Sequence, residues 1–257
     1  MLHRGDSVAR PRGAIVYVHP FAEEMNKARR MAAVSARSLS AAGFSVLMID
    51  LYGCGDSAGD FADATWEAWV DDVVAAAQWL RSRTGIDAAL WGLRAGCLLA
   101  KAAAQALEYS PNLLFWQPVV SGGQHLQQFL RLRVAQHVGA SGAEGRVGTK
   151  ELRAELQSGA TVAVAGYALA PGVALGLEAA ELTPLRHATR AAWLEVSSSD
   201  PPELSPAGRL RMQAWQAAGH DVAEHAVAGL PFWQTQEIAE CVALVEATRA
   251  AVLDWNR

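Results

Sequence analysis

Residues 91–96 read WGLRAG, and the placing of Gly92 and Gly96 fits the G-x-S-x-G turn that lifts a serine hydroxyl to the crest of an open α/β sheet. The middle residue here is Arg94. A guanidinium stays charged at physiological pH and offers five donors but no attacking lone pair. It would hold an anion at the place where a hydroxyl would attack a carbonyl. Two kinds of protein are compatible with that exchange: an enzyme whose nucleophile lies elsewhere, and a nucleophile-bearing fold put to another use.

Other groups with chemical potential are few. Cys97 lies three residues beyond Arg94, near the same helical face but a turn deeper. Such a thiol is either inert packing or, if accessible beside the arginine, one with a lowered pKa. Cys54 and Ser57 belong to the turn GCGDS, whose residues fix a loop more often than they react, and Ser121 has no evident base. The three cysteines have neither disulfide nor metal-ligand spacing, which reads as a reducing compartment. No H-E-x-x-H, C-x-x-C or acidic cluster suggests a metal, and no P-loop or Rossmann glycine pattern suggests a nucleotide, so no cofactor is implied. Among nine tryptophans, Trp116, Trp193 and Trp233 fall at or just beyond predicted strand ends, where the ligand crevice of an open sheet lies. They either line an apolar pocket for an acyl or aromatic group or belong to the core.

Composition bounds the rest. With 257 residues, 51% hydrophobic and 19% charged, the chain reads as one well-buried domain carrying an insert. A net charge of -4 with scattered basic residues argues against nucleic acid as a partner. The opening MLHRGDSVARPRG has no apolar h-region and predicts a cytoplasmic protein. One stretch tests that view: residues 160–177, ATVAVAGYALAPGVALGL, run eighteen positions without a charge. Its glycines and Pro171 would interrupt a helix, and Glu155 and Glu178 flank it without a basic anchor on the C-terminal side. The expectation is a buried or pocket-lining segment, with peripheral membrane contact as the second reading.

The elements that must position Arg94 follow from periodicity. AIVYVHP (14–20), FSVLMID (44–50), DAALWG (87–92), NLLFWQPV (112–119) and AAWLEVSSSD (191–200) begin as apolar runs of the kind buried on both faces of a parallel sheet. DVAEHAV (221–227) is the last strand. Helical patterns are predicted over 27–42, 66–80, 95–107, 207–218 and about 235–255, so strands and helices alternate. From 121 to 189 the alternation lapses and glycine-rich text appears. The expected organisation is a core from 1–120 and 190–257, with a cap inserted at 121–189. Six strands suffice for a doubly wound sheet.

The ordered signals HPF after one strand, DLYGCGDS after the next, GLRAG after the third and a carboxylate after a late strand resemble the α/β-hydrolase superfamily across nearly the whole chain. That resemblance implies an α/β fold with a mostly parallel, doubly wound sheet and an inserted cap. HPFAEEMNKARRM, GLRAG and PFWQTQEI look more narrowly like the second hydrolase associated with the exosortase A system, a bacterial group linked to PEP-CTERM protein sorting and exopolysaccharide production. It implies a hydrolase label resting on fold, without a substrate, and fold does not establish chemistry.

Acyl transfer on this fold needs an imidazole to take the nucleophile's proton, a carboxylate to orient it, and backbone N–H groups for the oxyanion. Asp200 stands where the superfamily carries its acid, or else opens the turn DPPE. The loop after the last strand, AGLPFWQTQE, holds no histidine, and His225 comes four or more residues too early, inside the strand. The N–H of Ala95 would open the helix after the turn, and that of Phe21 follows His19-Pro20; donors at a helix N-terminus attract anions. In the superfamily a histidine at the His19 position organises this loop; a base acting through water with Glu23 is the other reading.

For Arg94 itself two readings stand side by side. It clamps a carboxylate or phosphate, or it is locked to Glu23, Glu24 or Asp200. The preferred function is binding of a small acidic or acyl-bearing ligand below the cap. Its rivals are an active esterase, thioesterase or acyltransferase using His19, Glu23 or Cys97, and a partner-binding pseudoenzyme of the export machinery. Oligomeric state is not legible.

Overall fold

In chain order the backbone forms β1 (Leu2–His3), β2 (Gly13–Val18), α1 (Glu23–Ala41), β3 (Phe44–Met48), a 3₁₀ turn (Phe61–Asp63), α2 (Trp66–Thr84), β4 (Ala88–Leu93), α3 (Gly96–Ala106) and β5 (Leu113–Trp116). Then follow α4 (Gly122–Val138), α5 (Thr149–Gln157), β6 (Val162–Val164), β7 (Tyr167–Leu169), α6 (Pro171–Ala179), β8 (Arg190–Ser197), α7 (Pro206–Ala217), β9 (Asp221–Ala228) and α8 (Val242–Asp254). The structure is a computed structural model describing residues 1–4, 10–138, 148–235, 237 and 239–255. Most of the glycine-rich run 139–148, expected within the cap, lies outside the described residues.

Contacts divide the chain into two units: Met1–Ile49, Val73–Val120 and Leu182–Arg257 form the first, and Asp50–Asp72 with Ser121–Glu181 the second. The first unit contains a seven-stranded sheet ordered β1-β3-β2-β4-β5-β8-β9. Every pairing is parallel except β1 with β3. This is the α/β-hydrolase fold, a mostly parallel sheet flanked by helices. Strand β1 is the seventh strand that sequence reading missed, because two residues carry no periodicity. From β2 the chain moves outward to β3, then returns to place β4 on the other side of β2. The C-terminal ends of β2 and β4 therefore flank the switch point, where open α/β sheets open their crevice. His19 and Arg94 directly follow those two ends.

The sheet's interior strands are buried along nearly their whole length, β4 at all six positions, which is why they read as unbroken apolar runs. Helix α1 buries Ala28, Met31, Ala32, Ser35, Ala36 and Leu39, the i, i+3, i+4 stripe of a helix lying on a sheet. On the same core cluster Trp91 is wholly buried, its ring 4.5 Å from Tyr17 and 4.6 Å from Trp116. Each large side chain so buried contributes roughly 1.5–3 kcal/mol. Helix α8 begins at Val242, later than the 235 read from periodicity. Phe232 and Trp233 are held in the core at 1% and 4% exposure, which keeps the chain in a turn before Cys241 caps the helix.

In the second unit the turn 50–59 is braced by its own carboxylates: Asp50 accepts from the Asp56 N–H and Asp72 from the Tyr52 N–H. The apolar stretch 160–177 forms the antiparallel pair β6–β7 and the start of α6. It buries Val162, Val164, Leu169, Val173, Ala174 and Leu177 and leaves Leu175 partly exposed. No helix among the described residues is long and apolar enough to cross a membrane.

Candidate functional site at the β4–α3 turn

Backbone geometry builds the turn before any side chain acts. A Cβ on Gly92 would sit 2.5 Å from the Cys97 Cα, and one on Gly96 would sit 2.4 Å from the Val18 carbonyl oxygen. Only glycine lets α3 leave β4 so sharply and pass so close to β2. Between them Arg94 adopts a left-handed φ of 55°, a conformation that costs a non-glycine residue about 1–2 kcal/mol. Its N–H donates to the Trp116 carbonyl at 2.9 Å, and its carbonyl accepts from Cys97 at 3.0 Å and Val119 at 3.3 Å. Strand–strained turn–helix is the context the glycine spacing predicts.

The side chain turns toward α1. Arg94 Nε donates to Glu24 Oε1 at 3.2 Å, with both side chains largely buried. The guanidinium carbon lies 5.5 Å from the centroid of the Trp233 ring, within cation–π range. Among the described residues no second hydrogen bond to the guanidinium is formed, so both Nη atoms keep their donors. Burial pushes the Glu24 carboxyl up to about 7; the charge and hydrogen bond of Arg94 pull it down, Glu23 adds to the rise and Lys27 opposes it. Desolvation thus outweighs the ion pair, the usual balance for a buried bridge. The second oxygen, Glu24 Oε2, is shielded and has no partner, and the same holds for Glu23 Oε2 and Trp233 Nε1. Burial raises the Glu23 pKa as well. Ala95 caps α3, and its N–H donates to no described residue.

A family model described as serine aminopeptidase, S33 matches residues 9–189. The chain belongs to that α/β-hydrolase family. Human protein ABHD12B is 38% identical over 95 residues, which is 37% of this chain; the chain spans a quarter, 25%, of that relative's length. Among solved structures, Est1E from Butyrivibrio proteoclasticus with ferulic acid bound superposes with a TM-score of 0.66 at 14% identity, covering 99% of this chain and 93% of that one. A soluble variant of the monoglyceride lipase of Saccharomyces cerevisiae, in complex with a substrate analogue, gives 0.59 at 11% identity, covering 100% and 90%. At such identities these neighbours show the fold alone.

Within this S33-family chain the other positions fall as follows. Asp200 lies in an exposed turn after β8 and makes no hydrogen bond or ion pair with a described residue. His225 pairs with Leu194 in the middle of β9, three strand spacings or about 14 Å from β4; burial lowers its pKa. What the loop after β9 brings to Arg94 is the indole of Trp233. His19 is buried, with Nδ1 2.8 Å from the Pro20 carbonyl oxygen. Phe21 is buried, and its carbonyl accepts from the Glu24 N–H. Trp116 and Trp193 are core residues: their Nε1 groups donate to the Thr248 hydroxyl and to Glu195 Oε1, each at 2.8 Å.

The thiols are shut away. Cys97 is fully buried, donates to the Gly92 carbonyl at 3.2 Å, and is pushed far above the ordinary thiol range by burial. Cys54, in the second unit, is pushed up to about 12 by burial, with Asp50 and Asp72 adding to it. The Ser57 N–H donates to the Cys54 carbonyl, and the Ser121 hydroxyl donates to Glu181 Oε1 at 2.6 Å. No group of three or more His, Cys, Asp or Glu side chains able to hold a metal occurs among the described residues.

The missed relationship was the choice of Glu24 among three possible carboxylate partners. A signal for it existed: the buried stripe Ala28, Met31, Ala32 and Ser35, run back one turn, reaches Glu24.

Proposed function

We propose that this S33-family member binds a small acidic or acyl-bearing ligand at the β4–α3 turn without serine-hydrolase chemistry. The observation that carries the reading is Arg94, standing at the nucleophile position with its Nη atoms unengaged by described residues, beside an Ala95 N–H that has no acceptor. A carboxylate or acyl oxygen accepting from both would meet a charge-assisted donor and the positive end of α3. The catalytic positions support the same conclusion: with an exposed Asp200, an indole in place of an imidazole and a buried Cys97, these positions offer no nucleophile with a base beside it among the described residues. The loop text HPFAEEMNKARRM and PFWQTQEI supports placing the protein among the hydrolases associated with the exosortase A system.

Purified protein is tested in two ways. Acetyl and butyryl esters and thioesters of a chromogenic alcohol or thiol should turn over no faster with wild type than with Arg94→Ala. Acetate, butyrate, benzoate and ferulate should raise the melting temperature of wild type and leave Arg94→Ala unmoved. A ligand at about a hundred times its Kd contributes about 2.7 kcal/mol. Turnover abolished by a single substitution at the turn overturns the proposal and establishes an enzyme. No response to any acid, together with a stoichiometric co-purifying protein, favours a partner-binding role in export machinery instead.

A further inference from the structure

Glu24 is the part of this corner that pairing with Arg94 does not account for. One oxygen accepts from Nε; the other is buried and unpartnered. Three donors without acceptors among the described residues belong to the same corner: the Nη atoms of the guanidinium that Glu24 pairs with, the N–H of Ala95, the residue after Arg94, and Nε1–H of Trp233, whose ring centroid lies 5.5 Å from the guanidinium carbon. A ligand carboxylate has the two acceptor oxygens that such donors ask for. It also brings a second negative charge beside Glu24, and two carboxylates around one guanidinium in a water-poor site do not both stay ionised.

On the ligand site argued above, we propose that the turn takes up a monocarboxylate together with one proton, which Glu24 carries on Oε2 and donates to a ligand oxygen. The proton comes from solvent, and no bond other than O–H is made or broken. Glu24 then changes from a competitor for Arg94 into a donor, and its orphaned oxygen gains a partner. The other charged groups bearing on Glu24 are Glu23 and Lys27 of its own helix. Arg30, further along α1, is engaged by Glu240 at 2.6 Å; His19, from the loop after β2, is engaged by the Pro20 carbonyl, and Trp233 is uncharged. Burial already raises the Glu24 carboxyl to about 7, so the unliganded protein stands near the titration that binding completes.

The test is calorimetric titration of butyrate and benzoate into the full chain at pH 7.5, in Tris and in triethanolamine, whose ionisation enthalpies differ. The expected result is uptake of between about half and one proton per ligand, with affinity falling about tenfold per pH unit above 7.5. Glu24→Gln, which offers a permanent donor, should bind with no uptake and no such slope, whereas Glu23→Gln keeps both. Wild-type binding with no uptake and constant affinity from pH 6 to 9 overturns this inference and leaves the proposed ligand site standing. Uptake lost in Glu23→Gln but kept in Glu24→Gln overturns the assignment to Glu24. Absence of binding at every pH overturns both. The proton count on wild type needs no variant, so a Glu24→Gln chain that fails to fold does not spare the proposal.

Discussion

Replacing Glu24 by Gln removes a titration and keeps the shape, and the effect on stability has a worked sign. Folded Glu24 titrates at about 7 against an ordinary 4.5. Between those values the native chain holds a proton that the unfolded chain has lost, so stability falls as pH rises through that window. Below 4.5 both states are protonated and the group costs nothing; above 7 the full penalty is present. The interval corresponds to about 3 kcal/mol at about 1.4 kcal/mol per pH unit, most of it between pH 5 and 8. For a chain of this size that is roughly 6–12 °C in melting temperature. Other carboxylates add their own pH dependence, which the variant shares, and the exchange of a carboxyl for an amide adds an offset common to both pH values; the attraction between ionised Glu24 and Arg94 acts only at the higher pH and is already contained in the raised pKa. The quantity to measure is therefore the wild-type minus variant gap by thermal scanning at pH 5 and pH 8.5. The gap should move against wild type on going to the higher pH. A gap that stays constant, or moves in favour of wild type, shows that burial does not dominate at Glu24 and removes the basis for the proton coupling, leaving the ligand site at Arg94 and Ala95 to its own test.

Three further outcomes follow from the same geometry. Arg94→Gly should be more stable than Arg94→Ala by about 1 kcal/mol, because only glycine is relaxed at φ 55°; urea melts at pH 5, where Glu24 is neutral, compare the two directly. Gly96→Ala should lose about 2–3 kcal/mol, since its Cβ would meet the backbone oxygens of Val18 at 2.4 Å and His19 at 2.6 Å, and backbone cannot step aside cheaply; an unchanged melting temperature would contradict the close approach. Cys97 should escape maleimide labelling in the native protein and react only after unfolding, as peptide mapping would reveal, because it is fully buried and its thiolate is disfavoured.

How much of this was legible differs from element to element for physical reasons. Strands β2, β4 and β5 are covered on both faces, so each writes itself as an apolar run. Strand β1 has two residues at an edge and leaves no mark. Sequence reading starts α8 near 235 because QTQEIAE has helical composition, whereas the helix begins at Val242; the docking of Phe232 and Trp233 in the core just before it is a tertiary fact that local composition does not carry. Arg94 was found because glycine spacing is local. Its partner was narrowed to Glu23, Glu24 or Asp200 and no further, because Glu24 lies 70 residues away and neighbouring Glu23 has the same charge; only the helical phase of α1 separates them. Trp116 and Trp193, at predicted strand ends, could lie on a crevice, though such residues are more often core, and their full burial and the hydrogen bonds to Thr248 and Glu195 place them in the core.

Two things that a G-x-S-x-G pattern joins are separate at this turn. Gly92 and Gly96 are required by the crowding of β4, α3 and the end of β2, whatever residue stands between them. The pattern is therefore a packing signature that does not depend on a hydroxyl between the glycines. Arg94, by contrast, is not required by that crowding: it accepts a strained φ and draws a buried carboxylate into a pair whose desolvation outweighs its attraction. On the proposed ligand reading, both costs are offset by what Arg94 offers an acid, two Nη groups beside an amide that has no acceptor among the described residues. Replacing Arg94 should make the protein more robust at low pH while removing the charged donor proposed to hold an acid.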